Sequence, residues 1–338
     1  MEYRFQFGEI VACIFLALRL NRAVSSGRML LSSAYNVWGI VLKKFAVVTT
    51  IVLLVFSAAL LVFLVPAHLQ VRKVEPALPS VESLRALLRL ENTPARVSFV
   101  ASSSQHTDSF VLGHNSVLVE WPNGDIVMID AGMDKAAAIE FGNLIQSVMG
   151  GGEPEVHGTI ASLLGERIMQ VKAVGFTHLH IDHTQGILNF CAARGEGVRL
   201  LQSSYQRDLH NFNTTKGAEL VSESCLEPTL SEGGGLMSFD QYPGLAMYPL
   251  GGHTPGSTLF AVADGDRLLL FSGDITNSKA DLIEDRPKPF VYSYLMVPEN
   301  THRTAVLRDW LGELDEHDDI EVVVSHDVEN MRSVLQAF

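Results

Sequence analysis

The stretch Thr177-His178-Leu179-His180-Ile181-Asp182-His183-Thr184 places four groups able to bind a metal within six positions. Imidazole nitrogens and carboxylate oxygens suit zinc, and a centre with an open coordination position turns water into a nucleophile near neutral pH. In an extended loop His178 and His180 point to the same side, while a turn at Asp182-His183 offers a carboxylate and a third imidazole to an adjacent metal. Three further donors each follow an apolar run: His253 in Gly251-Gly252-His253-Thr254-Pro255-Gly256-Ser257, Asp274 in Ser272-Gly273-Asp274, and His326 in Ser325-His326-Asp327. Alone, each reads as an ordinary turn residue. Together with the first motif they describe a two-metal site.

Something must hold these loops side by side. The apolar run Val171–Phe176 leads straight into the histidine motif and reads as a strand. Ser109–Trp121 and Asp125–Ile129 are β-rich runs joined by the hairpin signal Pro122-Asn123-Gly124. Further strands are predicted at Val198–Gln202, Leu245–Leu250, Thr258–Ala263, Arg267–Phe271 and Ile320–Val324, and helices at Lys135–Val148, Ile160–Met169, Gln185–Ala193 and His302–Leu314. Tyr205–Tyr242 reads as an irregular insertion or lid. His210 within it is either a substrate contact or, the reading preferred, an exposed histidine. Strands alternating with helices predict an α/β four-layer αββα sandwich: two mixed sheets with helices outside.

In order, these elements resemble the metallo-β-lactamase superfamily: a strand-ending Asp, then HxHxDH, then His, Asp and His. The resemblance covers about Arg96 to the carboxyl terminus. It implies one metal at His178, His180 and His253, a second at Asp182, His183 and His326, and Asp274 bridging both. Asp130, in Ile129-Asp130-Ala131-Gly132, matches the first motif, and its implied role is to orient the ligand loop. True β-lactamases generally lack the bridging Asp, whereas thiolester hydrolases of the glyoxalase II type, lactonases and phosphodiesterases have it. The segment Val324-Ser325-His326-Asp327-Val328-Glu329-Asn330 is similar to the corresponding part of acyl-homoserine lactonases. Those enzymes commonly carry a Tyr shortly after the bridging Asp. Here Ile275-Thr276-Asn277 follow, and Tyr292 or Tyr294 is the candidate substitute.

The expected function is hydrolysis of a lactone, ester or thioester by a metal-bridging hydroxide, with Asp182 shuttling the proton. Two zinc ions are the expected cofactors, with manganese or iron as alternatives. The competing readings are a phosphodiesterase and a non-enzymatic membrane sensor that keeps its metals.

The rest of the chain concerns location. Phe45–Val65 holds 21 residues without a charge, enough to span a bilayer as a helix. This divides the chain into a cytoplasmic segment 1–44, a transmembrane helix or signal anchor 45–65, a linker with a short helix 66–95, and the hydrolase domain 96–338. Six basic residues precede Phe45, so the catalytic part is expected outside the cytoplasm. A cleaved signal peptide ending near Val65-Pro66-Ala67 is the alternative. Ile10–Leu18 is apolar but too short to span, and a true start at Met29 would account for it. Eight of 25 basic but only two of 38 acidic residues precede Val74, leaving the remainder at a net −19. A surface so acidic repels nucleic acid and disfavours large polyanions; the expected partner is a small-molecule substrate. Cys13, Cys191 and Cys225 make no thiolate metal site. Cys191 and Cys225 are read as small buried hydrophobes, with a lone bridge between them as the alternative.

Overall fold

The computed structural model describes residues 28–231 and 234–338. Ile10–Leu18 therefore lies outside the described residues. The chain forms two compact units, Met1–Val62 and Phe63–Phe338. A helix over Arg28–Val71 begins in the first, and its stretch Val41–Val71 is long and apolar enough to cross a membrane. The expected span 45–65 falls inside it.

In the second unit, strands β1 (Arg96–His106), β2 (Val111–Glu120), β3 (Ile126–Ile129), β4 (Glu155–Val156), β5 (Val171–Gly175), β6 (Val198–Ser203) and β7 (Leu226–Ser231) build the larger sheet. Strands β8 (Met237–Ser238), β9 (Leu245–Pro249), β10 (Thr258–Asp264), β11 (Arg267–Phe271) and β12 (Ile320–Val323) build the smaller one. β13 (Gln336–Ala337) returns to pair in parallel with β1. The β2–β3 hairpin turns at Gly124, whose φ of 85° suits glycine.

Period-two alternation assigns the layers. Val127 and Ile129 of β3 meet Phe260 and Val262 of β10 and Leu269 and Phe271 of β11 between the sheets. Their neighbours Ile126 and Met128 face outward onto helical residues such as Ile160, Ile187 and Phe190. Leu259, Ala261, Leu268 and Leu270 face the other way, onto Leu307, Leu311 and Leu314 of the helix Thr301–Asp315. Strands buried on both faces explain why these runs are apolar almost throughout. The result is the expected αββα sandwich.

Three expectations change. Tyr205–Tyr242 is not an irregular insertion: it contains helices Ser204–Asp208 and Thr215–Ser222, and β7 pairs in parallel with β6 along six residues. β7 is polar and holds Pro228 because it lies at the sheet edge, where proline is tolerated and the period-two signal fades. Cys191 and Cys225 are joined in a disulfide between the helix Ile187–Arg194 and the start of β7. The segment 66–95, expected as a linker with a short helix, does carry the helix Val81–Arg85, and it packs on the smaller sheet through Leu84 and Leu87. Tyr248 donates its hydroxyl to Ala77 O, and Arg303 Nη2 donates to Pro76 O at 2.8 Å.

Candidate metal centre

All seven expected donors lie in the segments that follow strand ends, on the rim where both sheets terminate. His178 and His180 follow β5, and Asp182 and His183 lie in the short helix Ile181–Thr184 that the motif enters directly. His253 follows β9, Asp274 follows β11 and His326 follows β12. In the turn before His253, Gly251 has φ +66°, and an added Cβ would lie 2.1 Å from Val74 O. Only glycine fits there.

The donors converge in two groups, His178, His180 and His253, and Asp182, His183, Asp274 and His326. In the first, His180 Nδ1 is 3.0 Å from His178 Nε2 and 3.2 Å from His253 Nε2. In the second, His183 Nε2 is 3.2 Å from His326 Nε2. Asp274 stands between them: its Oδ2 is 3.1 Å from His326 Nε2 and 3.8 Å from both His178 Nε2 and His253 Nε2.

Outer contacts fix which imidazole nitrogen faces inward. His326 Nδ1 donates to the Gly113 carbonyl at 2.8 Å, His183 Nδ1 donates to Asp130 Oδ2 at 2.9 Å, and His253 Nδ1 donates to Glu299 Oε1 at 2.6 Å. The Nε2 atoms of His183 and His326 therefore face each other beside the carboxylates of Asp182 and Asp274, so protons or a cation must occupy the space between them. Asp274 Oδ1 is buried without a hydrogen-bond partner in the same place. The residues fit a pair of metal ions. Five imidazoles and two carboxylates, with no thiolate, suit zinc and equally admit manganese or iron.

Asp130 behaves as an orienting residue. It accepts from Thr177 N and Thr177 Oγ1, both at 2.8 Å, as well as from His183, and adopts φ 62°, which those bonds stabilise against its backbone cost. Two neighbours were not legible in the sequence. Glu299 holds His253, and Lys288 Nζ donates to Glu299 Oε1 at 3.0 Å and to the Asp274 carbonyl.

Charge follows from this geometry. Burial opposes ionisation of Glu299, but Lys288 and the bonds from His253 and Ser293 hold its carboxyl down at about 2. Burial also works against the imidazolium of His326, and Asp274 and Asp182 outweigh it, pushing this group up to about 10. His183 rises well above its usual range against burial, through Asp130, Asp182 and Asp274. His180 falls to about 3 through burial and repulsion from His253.

A cavity of about 370 Å³ opens beside Asp182 and Asp274, walled by apolar residues including Phe141, Leu144, Phe212 and Met296. Tyr292 lines it, whereas Tyr294 turns away to stack on Phe290 and bond Thr301 Oγ1 at 3.0 Å. Of the two candidate tyrosines, only Tyr292 reaches the centre. His210 bonds the Arg207 carbonyl at 2.7 Å and borders a different cavity. Asp327 caps the helix Val328–Val334 and accepts from Lys279 N, so its place in the His-Asp segment is structural.

The fold and the donor arrangement are similar to those of metallo-β-lactamases, and residues 110–216 match the model of the "Metallo-beta-lactamase superfamily". Solved structures share the fold at low identity. A quorum-quenching N-acyl homoserine lactone lactonase is 17% identical, covering 74% of this chain and 98% of its own at a TM-score of 0.53. An N-acyl homoserine lactone hydrolase with N-hexanoyl-L-homoserine at its catalytic metal centre is 16% identical, covering 73% and 98% at 0.52. A variant of AiiA from B. thuringiensis with N-decanoyl-L-homoserine bound gives the same four values. No curated protein sequence matches the chain.

Proposed function

We propose that the chain is a dinuclear metal hydrolase that opens a lactone or cleaves a related ester. The observation that carries this reading is the convergence of seven donors, with Asp274 between the two groups, at the mouth of an apolar cavity. Its fold neighbours include hydrolases of acyl lactones, which supports the same bond class. When bound, the two cations supply Lewis acidity toward a carbonyl oxygen and activate water as the nucleophile.

The chain's own residues do the rest. His178, His180 and His253 would hold one cation and Asp182, His183 and His326 the other, with Asp274 standing between the two groups. Asp182 lies at the cavity floor, placed to take a proton from the attacking water and deliver it to the leaving oxygen. Tyr292 presents a phenol that burial and the negative charges of Glu299, Asp274 and Asp182 keep protonated, well above its usual range. It donates a hydrogen bond to the carbonyl oxygen as negative charge develops there. Among the cavity's lining residues only Lys216 is basic, which suits a neutral acyl substrate better than a phosphodiester.

The test is a panel of acyl lactones, aryl esters, a glutathione thioester and a phosphodiester, assayed with metal-loaded wild type and Asp182→Asn. Turnover of lactone or ester, with kcat strongly lowered in the variant while much of the metal is retained, supports the reading. Turnover confined to the phosphodiester refutes the bond class, and turnover of nothing favours a sensor.

A further inference from the structure

The wall of the apolar cavity is joined physically to the end of the apolar span. Residues Tyr292–Met296 form a π-helical turn, a geometry that recurs at functional sites. It aims Tyr292 and Met296 at the cavity. The same segment leaves Phe290 67% exposed and Val291 55% exposed, with Leu295 also outside. Phe290 stacks on Tyr294 at 4.5 Å between ring centroids. Tyr294 in turn meets His68: the rings lie 5.6 Å apart, and His68 Nε2 bonds the Tyr294 carbonyl at 3.1 Å.

His68 belongs to the catalytic unit but also to the last turns of the helix that is apolar enough to cross a bilayer. Around it, Ala67 and Val71 are buried in that unit, while Phe63 and Leu69 remain exposed. Within Phe63–Phe338, His68 thus ties the last turns of that helix to the segment Tyr292–Met296. A chain of direct contacts, His68 to Tyr294 to Phe290, runs from those turns to the exposed side of the segment that carries Tyr292 and Met296. Exposed aromatic and aliphatic side chains beside a membrane helix are what an interfacial surface requires, since water is a poor solvent for them and the acyl region is a good one.

We propose that Phe290, Val291 and Leu295 enter the bilayer beside the helix end, and that the cavity receives the apolar tail of a substrate dissolved in the membrane. The substrate class is an acyl amphiphile whose hydrolysable carbonyl lies near the lipid surface. This rests on the hydrolase reading for the reaction, but not for the membrane contact.

The experiment uses the full chain, metal-loaded and reconstituted in phosphatidylcholine vesicles. In the first arm, Val291→Trp is compared with wild type in vesicles containing brominated lipid. Quenching of the added fluorescence by at least half supports bilayer contact. An unquenched signal overturns it, whether the residue faces water or a second copy of the chain. In the second arm, a short-chain soluble lactone and its long-chain homologue in vesicles are assayed with wild type and the triple variant Phe290→Ser, Val291→Ser, Leu295→Ser. The expected result is a loss of tenfold or more in kcat/KM on the vesicle substrate, with the soluble one unchanged. Equal loss on both, or no loss on either, overturns the assignment of substrate. If Val291→Trp is quenched in the first arm yet wild type hydrolyses neither lactone, the hydrolase reading and the substrate assignment fall while the membrane contact stands.

Discussion

Replacing Glu299 by Gln isolates the charge that supports His253. The carboxylate is buried, accepts from His253 Nδ1 and Ser293 Oγ at 2.6 Å each, and receives Lys288 Nζ at 3.0 Å. Its carboxyl is held at about 2 against an ordinary 4.5, which corresponds to roughly 3 kcal/mol in favour of the charged form. Glutamine preserves the shape and one acceptor oxygen for His253 but leaves the Lys288 ammonium buried without its counter-charge. Breaking a buried pair this way costs about 3–5 kcal/mol. Loss of an outer partner of a ligating imidazole lowers metal affinity by about 10–100-fold. The variant should therefore melt at a lower temperature and lose metal first from the group His178, His180 and His253. Chelator competition with metal analysis, alongside thermal unfolding, measures both. The sign of the pH effect is fixed as well: a depressed carboxylate contributes stability above its unfolded value of 4.5 and loses it as pH falls toward 2. Wild type should shed that stability on acidification, and Glu299→Gln should not. Unchanged metal affinity together with an unchanged acid profile would refute the reasoning.

Three further outcomes follow. Tyr292→Phe should lower kcat on the preferred ester by about tenfold or more with metal content unchanged, because a single oxyanion donor is lost; full activity in steady-state kinetics would remove Tyr292 from the mechanism. Cys191→Ser with Cys225→Ser opens a closure of 34 residues and should cost roughly 3–4 kcal/mol in denaturant unfolding, an effect that reductant reproduces in wild type. Metal affinity at Asp182, His183 and His326 should rise about tenfold per pH unit for each proton displaced, since His326 at about 10 and His183 above its usual range bind protons that a cation must replace. The group containing His180, at about 3, should show little such dependence between pH 6 and 8, and identical pH slopes for both sites in metal titrations would contradict the assigned charges.

The sequence by itself determined the candidate donors and the layers. HxHxDH is a local motif, and each remaining donor directly follows a strand whose apolar run is continuous because both its faces are buried. Period-two alternation and the turn at Pro122-Asn123-Gly124 likewise act over a few residues, so they are readable in one dimension. The tertiary structure decided what depends on contacts between distant segments. Glu299 lies 46 residues from His253, and no spacing rule links a helix-preceding glutamate to a glycine-rich turn. Choosing Tyr292 over Tyr294 required the π-helical turn, which rotates one toward the cavity and the other toward His68. Joining Cys191 to Cys225 required β7 to add at the sheet edge, where a polar strand containing proline carries almost no sequence signal. The packing of Leu84 and Leu87 against the smaller sheet was hidden for a related reason: short segments flanked by prolines reveal a buried face only when the surface that covers them is present.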